Sequence, residues 1–118
     1  MKIISSIKDL CCKDIMQSVF ELNNLDFEVF KKLRELKESK IDVIARSLNK
    51  DRSMIYRSLQ KLISCKLCEK KTKNIRTGGY YHLYVCTNLE SVRKEIEKCI
   101  DNWHISIKNN LDKLEKEL

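Results

Sequence analysis

The fold of this chain is decided by one stretch, Asp51-Arg52-Ser53-Met54-Ile55-Tyr56-Arg57-Ser58-Leu59-Gln60-Lys61-Leu62. Ile55, Leu59 and Leu62 recur at helical spacing and predict a helix with one buried face. Other positions of the helical wheel carry side chains of the types that bind phosphates or base edges. These are Arg52, Ser53, Tyr56, Arg57, Gln60 and Lys61. The stretch therefore predicts an amphipathic helix, at about 51–64, whose polar face meets a ligand.

A second, shorter helix is predicted immediately before this one. Apolar side chains at Ile41, Ile44 and Leu48 follow a helical period, and Asn49-Lys50 closes the segment. Asp51 is then expected to cap the next helix. Two short helices around a tight turn, with polar and basic residues at the start of the second, are typical of a helix-turn-helix.

Two strands are predicted after the helix-turn-helix. Side chains alternate in character along 80–86, which is typical of a strand, and 67–75 forms its partner. Arg76-Thr77-Gly78-Gly79 separates the two runs, and its glycines suit a hairpin turn because they accept positive φ angles. The hairpin at 67–86 is the wing of a winged helix-turn-helix. The polar residues expected near its tip are Lys71, Lys73, Asn74, Arg76 and Thr77.

Positive charge is concentrated in the same part of the chain. The protein has 24 lysines and arginines against 17 aspartates and glutamates, a formal net charge of +7. The segment from Lys50 to Arg76 holds nine cations and only two anions, which amounts to the same +7, so the charges elsewhere cancel. This concentration is typical of a surface that lies on a polyanion such as DNA. A solvated basic face is the less favoured interpretation.

The segments before the helix-turn-helix are predicted to be helical. An N-terminal helix occupies 1–22, and Asn24 is a good N-cap for a second helix that ends near Lys37. Residues 38–40 are expected to form a turn.

The C-terminal segment is predicted to be one long helix beginning at the capping-box pattern Thr87-Asn88-Leu89-Glu90. Apolar residues recur along it every three or four positions, as in a coiled coil. They are Leu89, Val92, Ile96, Ile100, Trp103, Ile107, Leu111, Leu114 and Leu118. We expect this stripe to form a homodimer through 89–118, with the N-terminal helix as a further contributor. Packing onto the chain's own N-terminal helix is the alternative, and both arrangements can hold at once.

The predicted fold class is mainly α with a small β-hairpin. It comprises an N-terminal helix (1–22), a winged helix-turn-helix DNA-binding domain (23–87) and a coiled-coil-like dimerisation helix (88–118). A chain of 118 residues suffices for one such domain with an appended helix.

Other classes of protein are not expected from this sequence. No stretch approaches the ~20 apolar residues of a membrane span, and charged residues interrupt the apolar N-terminus before it resembles a signal peptide. We therefore expect a cytoplasmic protein. Neither His82 nor His104 belongs to a catalytic constellation, and no glycine-rich phosphate loop is present. Neither enzyme activity nor a cofactor is expected.

The cysteines are expected to be reduced thiols. Cys65-Lys66-Leu67-Cys68 is one C-x-x-C pair without a second, so no metal site is expected. A hairpin symmetric about Thr77-Gly78 places Cys68 opposite Thr87, whereas a shift of one residue places it opposite Cys86. A metal- or redox-responsive regulator that uses Cys65, Cys68, Cys86 or Cys99 is a further hypothesis.

Three features resemble archaeal winged-helix regulators of the TrmB-like group and, more loosely, MarR- and ArsR-type repressors. They are Ile44-Ala45-Arg46-Ser47-Leu48, the run from Arg52 to Leu62, and Tyr84 before the long helix. The resemblance covers about 25–115 and implies a dimeric transcription factor whose second helix enters the major groove. Larger TrmB-like proteins carry a C-terminal sugar-binding domain, and this chain ends where that domain would begin, so sugar sensing is not expected.

Base reading is expected from the start of the recognition helix. Arg52 or Arg57 is suited to guanine and Gln60 to adenine, while Ser53 and Tyr56 contact the backbone or a base. An interpretation of nearly equal weight places Tyr56 partly in the core. The alternative function is a winged helix used for protein contacts inside a transcription or chromatin assembly, but the excess of positive charge favours DNA.

Overall fold

The computed structural model describes residues 12–118. The part of the predicted N-terminal helix that precedes Cys12 lies outside the described residues. Along the chain, the helices and strands are α1 (Cys12–Phe20), α2 (Asn24–Leu36), β1 (Glu38–Ser39), α3 (Ile41–Leu48), α4 (Arg52–Ser64), β2 (Cys68–Asn74), β3 (Tyr80–Cys86) and α5 (Leu89–Glu117). The mainly α class with a small β-hairpin is confirmed.

The sheet has one strand more than the sequence predicted. Its three antiparallel strands lie in the order β1-β3-β2. The segment 38–40 was expected to be a turn, but Glu38 pairs with Val85 and Ser39 with Tyr84. The backbone N–H of Cys86 also donates a hydrogen bond to the carbonyl of Lys37. A strand of two residues is too short to show an alternating pattern in the sequence. Strand β1 forms because these residues pair with the free edge of β3.

The hairpin is centred on Thr77, whereas the sequence predicted a centre between Thr77 and Gly78. The Ile75 N–H donates to the Gly79 carbonyl at 3.0 Å, and Gly78 and Gly79 both adopt positive φ angles. Cys68 therefore faces Cys86. The expected register, with Cys68 opposite Thr87, is wrong because the closed loop has an odd number of residues.

The core is built from α2, α3 and α4 together with the base of the hairpin. Ile55, Leu59 and Leu62 of α4 are fully buried, as the helical spacing predicted. The other fully buried apolar side chains include Val29, Leu33, Ile44 and Leu67. Each contributes about 1.5–3 kcal/mol relative to an exposed position. The burial of one face of α4 leaves its opposite face toward solvent.

The turn between α3 and α4 has the geometry of a helix-turn-helix. Asn49 adopts a left-handed conformation with φ 53°, which asparagine tolerates better than most residues. The N–H groups of Asn49 and Lys50 donate to the carbonyls of Arg46 and Ala45 and close α3. Asp51 occupies the N-cap position of α4, but its side chain makes no capping hydrogen bond.

Two predicted caps are wrong by one residue. Asn23, not Asn24, caps α2, and it forms a reciprocal capping box with Asp26. Asn88, not Thr87, caps α5 by accepting the Ser91 N–H at 2.8 Å. In each case two neighbouring residues have side chains suited to capping, Asn23 and Asn24 in the first and Thr87 and Asn88 in the second. The one that precedes the first helical residue becomes the cap.

The described residues up to Thr87 form one compact unit, and Asn88–Leu118 forms another. The second unit is the single helix α5, as the sequence predicted. Its exposed apolar side chains include Ile100, Trp103, Ile105, Ile107, Leu111 and Leu114. No helix of the described chain is long and apolar enough to span a membrane.

Candidate nucleic-acid interface

The exposed face of α4 carries three of the predicted contact residues. Ser53 and Arg57 are exposed, Gln60 is half-buried, and all three lie on the side of the helix opposite Leu59 and Leu62. The structure therefore brings a hydroxyl, a guanidinium and an amide to one surface. Their donors and acceptors suit phosphates and base edges.

One flank of this face lies beside the sheet. Tyr84 is buried and has Tyr56 and Arg52 among its charged or titratable neighbours. Burial and the proximity of Tyr56 raise the pKa of the Tyr84 hydroxyl, against the opposing effect of Arg52. Tyr56 itself is 48% exposed and lies near the buried Tyr84, so it is partly buried, and its contact with DNA stays a prediction.

The guanidinium of Arg52 has an acidic neighbour on α3. The Nε of Arg52 lies 3.4 Å from Oδ1 of Asp42, and both side chains are largely exposed. An exposed pair of this kind contributes less than about 1 kcal/mol, so a phosphate can replace the carboxylate at little cost. Arg52 is therefore accessible to a polyanion.

The other flank of α4 is attached to α2. The Ser58 hydroxyl donates to Asp26 Oδ1 at 2.7 Å, and the Lys61 ammonium lies 2.9 Å from Asp26 Oδ2. Asp26 is only 2% exposed. Lys61 was predicted as a DNA contact, and the structure gives its ammonium a buried carboxylate as partner.

The two faces of the wing carry different side chains. Cross-strand partners share a face, and successive residues of a strand alternate between faces. Lys71 and Lys73 pair with Leu83 and Tyr81, so they lie on the face away from Tyr84. Asn74 lies on the same face as Tyr84, the face that packs against α4. The strand residues predicted near the tip are therefore divided between two faces, while Arg76 and Thr77 are exposed in the turn.

Sequence reasoning missed Lys70, Thr72 and His82, which lie on the same face of the wing as Tyr84. Lys70 pairs with Tyr84, and Thr72 pairs with His82. The Thr72 Oγ1 lies 3.1 Å from His82 Nδ1, and the His82 ring centroid lies 5.4 Å from that of Tyr80. Strand alternation counted outward from Tyr84 would have found these residues.

A cation–aromatic contact lies on the face of the wing away from Tyr84. The ammonium of Lys40 lies 4.4 Å from the centroid of the Tyr81 ring. This contact joins the residue that precedes α3 to the same face of the wing as Lys71 and Lys73.

Cys68 is buried, and Cys65 and Cys86 are half-buried thiols. Burial, with smaller contributions from Cys86 and Glu69, raises the pKa of Cys68 to about 12. Burial also raises the pKa of Cys86, against the effect of Arg34. Cys65, Cys68, Cys86 and Cys99 are free. Within residues 12–118 no cluster of histidine, cysteine or carboxylate side chains has an arrangement suited to a metal ion.

This architecture defines a class of protein. A helix-turn-helix followed by a two-stranded wing, with a short third strand pairing beside it, is a winged helix-turn-helix. Similar folds occur in a possible transcriptional regulator from Methanosarcina mazei (TM-score 0.79, 23% identity, 89% of this chain and 93% of that one). The ST1889 protein from Sulfolobus tokodaii is also similar (TM-score 0.68, 19% identity, 91% and 99% covered). A MarR protein from Peptoclostridium difficile has a TM-score of 0.53 at 20% identity, with 99% and 87% covered.

The chain belongs to the TrmB family. The family model described as sugar-specific transcriptional regulator TrmB matches residues 16–90. The uncharacterized protein MJ1503 of Methanocaldococcus jannaschii is 34% identical over 87% of this chain and 78% of its own length. MJ1082 of the same organism is 28% identical over 90% and 88%. The resemblance to TrmB-like regulators is confirmed, and the protein is a DNA-binding transcriptional regulator rather than an enzyme.

Proposed function

We propose that the protein binds double-stranded DNA sequence-specifically as a homodimer, with α4 in the major groove and the wing on the adjacent groove or backbone. In this proposal 23–87 is the DNA-binding domain and 88–118 the dimerisation helix. The proposal places this transcriptional regulator in the cytoplasm. The observation that carries the proposal is the exposed face of α4, where Ser53, Arg57 and Gln60 lie opposite a fully buried apolar face.

The electrostatics of α4 and the wing support DNA as the ligand. Lysine and arginine contacts to phosphates supply much of the affinity and make it depend on salt. The cations assigned to this role are Arg52, Arg57, Lys71, Lys73 and Arg76, together with the additional Lys70. Ser53, Tyr56, Gln60, Asn74 and Thr77 complete the proposed contact set. Lys61 belongs to the predicted set as well, but its ammonium is paired with the Asp26 carboxylate.

The apolar stripe of α5 supports self-association. Trp103, Ile107, Leu111 and Leu114 are 44–62% exposed in the single chain and recur at intervals of three or four residues. A second copy of the same helix offers a matching stripe. In a dimer, two α4 helices then meet half-sites separated by about one turn of DNA.

Selection of bound sequences from random duplex DNA tests the DNA-binding proposal. We expect a pseudo-palindromic motif whose half-sites lie about 10 bp apart, with binding that weakens as salt rises. Recovery of no motif, together with retention on DNA that does not respond to salt, would contradict the proposal. That result would favour the alternative of a winged helix used for protein contacts.

Sedimentation analysis of matched variants tests the dimer. Ile107→Glu places a charge in the α5 stripe, whereas Lys108→Glu changes the adjacent position outside it. We expect the first variant to be monomeric and to lose affinity for the two-half-site duplex, and the second to remain dimeric. A monomeric wild-type protein, or a dimeric Ile107→Glu variant, would contradict self-association through α5.

A further inference from the structure

We propose that Asp26 is the positioning residue of the recognition helix. In this proposal its carboxylate fixes the rotation of α4 about the helix axis and holds the Lys61 ammonium away from DNA. The inference rests on the DNA-binding function proposed above and deepens it, because it concerns how the base-reading side chains are held in place.

The carboxylate of Asp26 joins two helices that are distant in sequence. Its Oδ2 accepts the backbone N–H of Asn23 at 3.0 Å and lies 2.9 Å from the Lys61 ammonium. Its Oδ1 accepts the Ser58 hydroxyl at 2.7 Å. The backbone N–H of Asp26 donates in turn to Asn23 Oδ1 at 2.8 Å. One oxygen is thus fixed by the start of α2, and both oxygens reach α4.

A capping role alone does not account for this arrangement. The reciprocal bonds with Asn23 complete the capping box of α2, and many exposed aspartates perform that task. Asp26 is instead 2% exposed, and Ser58 is 3% exposed. Burying a carboxylate is costly unless charged and hydrogen-bonded partners surround it, and here two of the partners lie on the recognition helix.

Two-point attachment restricts the rotation of α4 in a way that apolar packing does not. Ile55, Leu59 and Leu62 pack through contacts that have little directional preference. Hydrogen bonds are directional, and Ser58 and Lys61 are separated by three residues, about one helical turn. A helix attached at both positions cannot roll toward or away from α2 without breaking a short bond to a buried charge.

The residues held by Asp26 are direct neighbours of those proposed to read bases. Arg57 precedes Ser58 in the chain, and Gln60 precedes Lys61. A rotation of α4 would move both side chains relative to the groove. Binding constellations require positions accurate to about 0.5 Å, so a loosened helix is expected to lose base discrimination before it loses phosphate contacts.

The same geometry assigns Lys61 to the protein rather than to DNA. Its side chain is 39% exposed, and its ammonium is paired with the buried carboxylate. A lysine in this state releases no counterion from DNA. The salt dependence of binding is measured by the salt slope, the magnitude of the slope of the logarithm of the binding constant against the logarithm of the salt concentration. Removing the charge of Lys61 should leave the salt slope unchanged. Removing the charge of a phosphate-contacting lysine lowers it by about 0.9.

The test compares Asp26→Asn, Lys61→Met, Ser58→Ala and Lys73→Ala on the selected duplex and on an unrelated duplex across a salt series. For Asp26→Asn we expect the ratio of specific to nonspecific affinity to fall about tenfold or more, because base contacts depend on the position of α4. Its slope on the unrelated duplex should steepen by about 0.9, because Lys61 is released to contact a phosphate. Lys61→Met should keep the wild-type slope, and Lys73→Ala should lower it.

Circular dichroism and thermal unfolding establish which variants are folded at the assay temperature. If Asp26→Asn does not fold, Ser58→Ala removes one of the two attachments and must lower the specificity ratio. An unchanged ratio in the folded variants, or a loss of about 0.9 from the wild-type salt slope in Lys61→Met, would overturn the inference. Failure of the wild-type protein to bind any duplex would instead contradict the DNA-binding function itself.

Discussion

The recognition helix and the wing carry the same sign of charge but are held in different ways. Helix α4 buries Ile55, Ser58, Leu59 and Leu62 and is attached to α2 through a buried carboxylate. Strand β2 buries only Cys68, and all its later residues are exposed. We propose that the two regions have different roles, in which the fixed helix reads bases and the exposed wing contacts phosphates.

The largest expected effect is on folding, and it separates the two regions by their packing. Leu59→Ala removes a fully buried side chain from α4 and is expected to lower the free energy of unfolding by about 2–5 kcal/mol. Leu83→Ala removes the same atoms from a half-buried position in the wing and should cost about 1 kcal/mol. Urea denaturation measures both, and equal losses would show that the wing is as tightly packed as α4.

The next effect concerns the charge that fixes α4. Burial of Asp26 alone would raise the pKa of its carboxyl, but hydrogen bonds from Asn23, Ser58 and Lys61 and the charge of Lys61 together lower it below its ordinary value of 3.8. A carboxylate with a lowered pKa stabilises the fold at pH values above 3.8. This contribution is lost as the pH falls through the folded-state pKa.

The free energy of unfolding of Asp26→Asn tests this pH dependence. We expect the variant to be about 1.5–3 kcal/mol less stable than the wild type at neutral pH, because a charged acceptor is replaced by a neutral one. The difference should stay constant down to about pH 5 and shrink below the ordinary pKa. A difference that does not change with pH would show that the charge of Asp26 contributes nothing.

Base reading by α4 is tested by Arg57→Ala. We expect a loss of about 1–3 kcal/mol on the selected duplex and relaxed discrimination at one base position. Lys31→Ala is the matched control, because it removes one exposed positive charge from α2 and leaves α4 and the wing intact. Equal effects of the two substitutions, measured by fluorescence anisotropy, would remove Arg57 from base recognition.

The smallest expected effect belongs to the wing. Replacing Lys71 and Lys73 together by alanine should lower the salt slope by about 1.8 on every duplex, since each phosphate contact contributes about 0.9. Specificity should not change. Because both lysines lie on the face away from Tyr84, Lys70→Ala provides the comparison for the other face. The face whose substitution leaves the slope unchanged is the one that does not touch DNA.

Much of this architecture could be predicted from the sequence because the deciding patterns are local. The spacing of Ile55, Leu59 and Leu62 identified the buried face of α4, and the glycines at 78 and 79 identified the hairpin turn. The exact position of the turn could not be predicted. A shift of one residue in the pairing of the strands places Cys86 opposite Cys68 instead of Thr87, and the local sequence is compatible with both registers.

The features that sequence reasoning missed depend on contacts between distant residues. Strand β1 exists because the edge of β3 pairs with it, and no local pattern marks two residues as a strand. No local pattern marks Asp26, because its partners Ser58 and Lys61 are 32 and 35 positions away. Lys61 was accordingly predicted to contact DNA, like the other polar and basic residues of the helix.

We propose that the exposed face of α4 and the wing together form the DNA-binding surface. NMR titration of the labelled protein with the selected duplex tests it most directly, because amide shifts report contacts residue by residue. We predict that the largest changes fall within 52–60 and 70–82, with little change in α2 beyond its first turn. Changes concentrated in α2, with α4 and the wing unaffected, would contradict the claim.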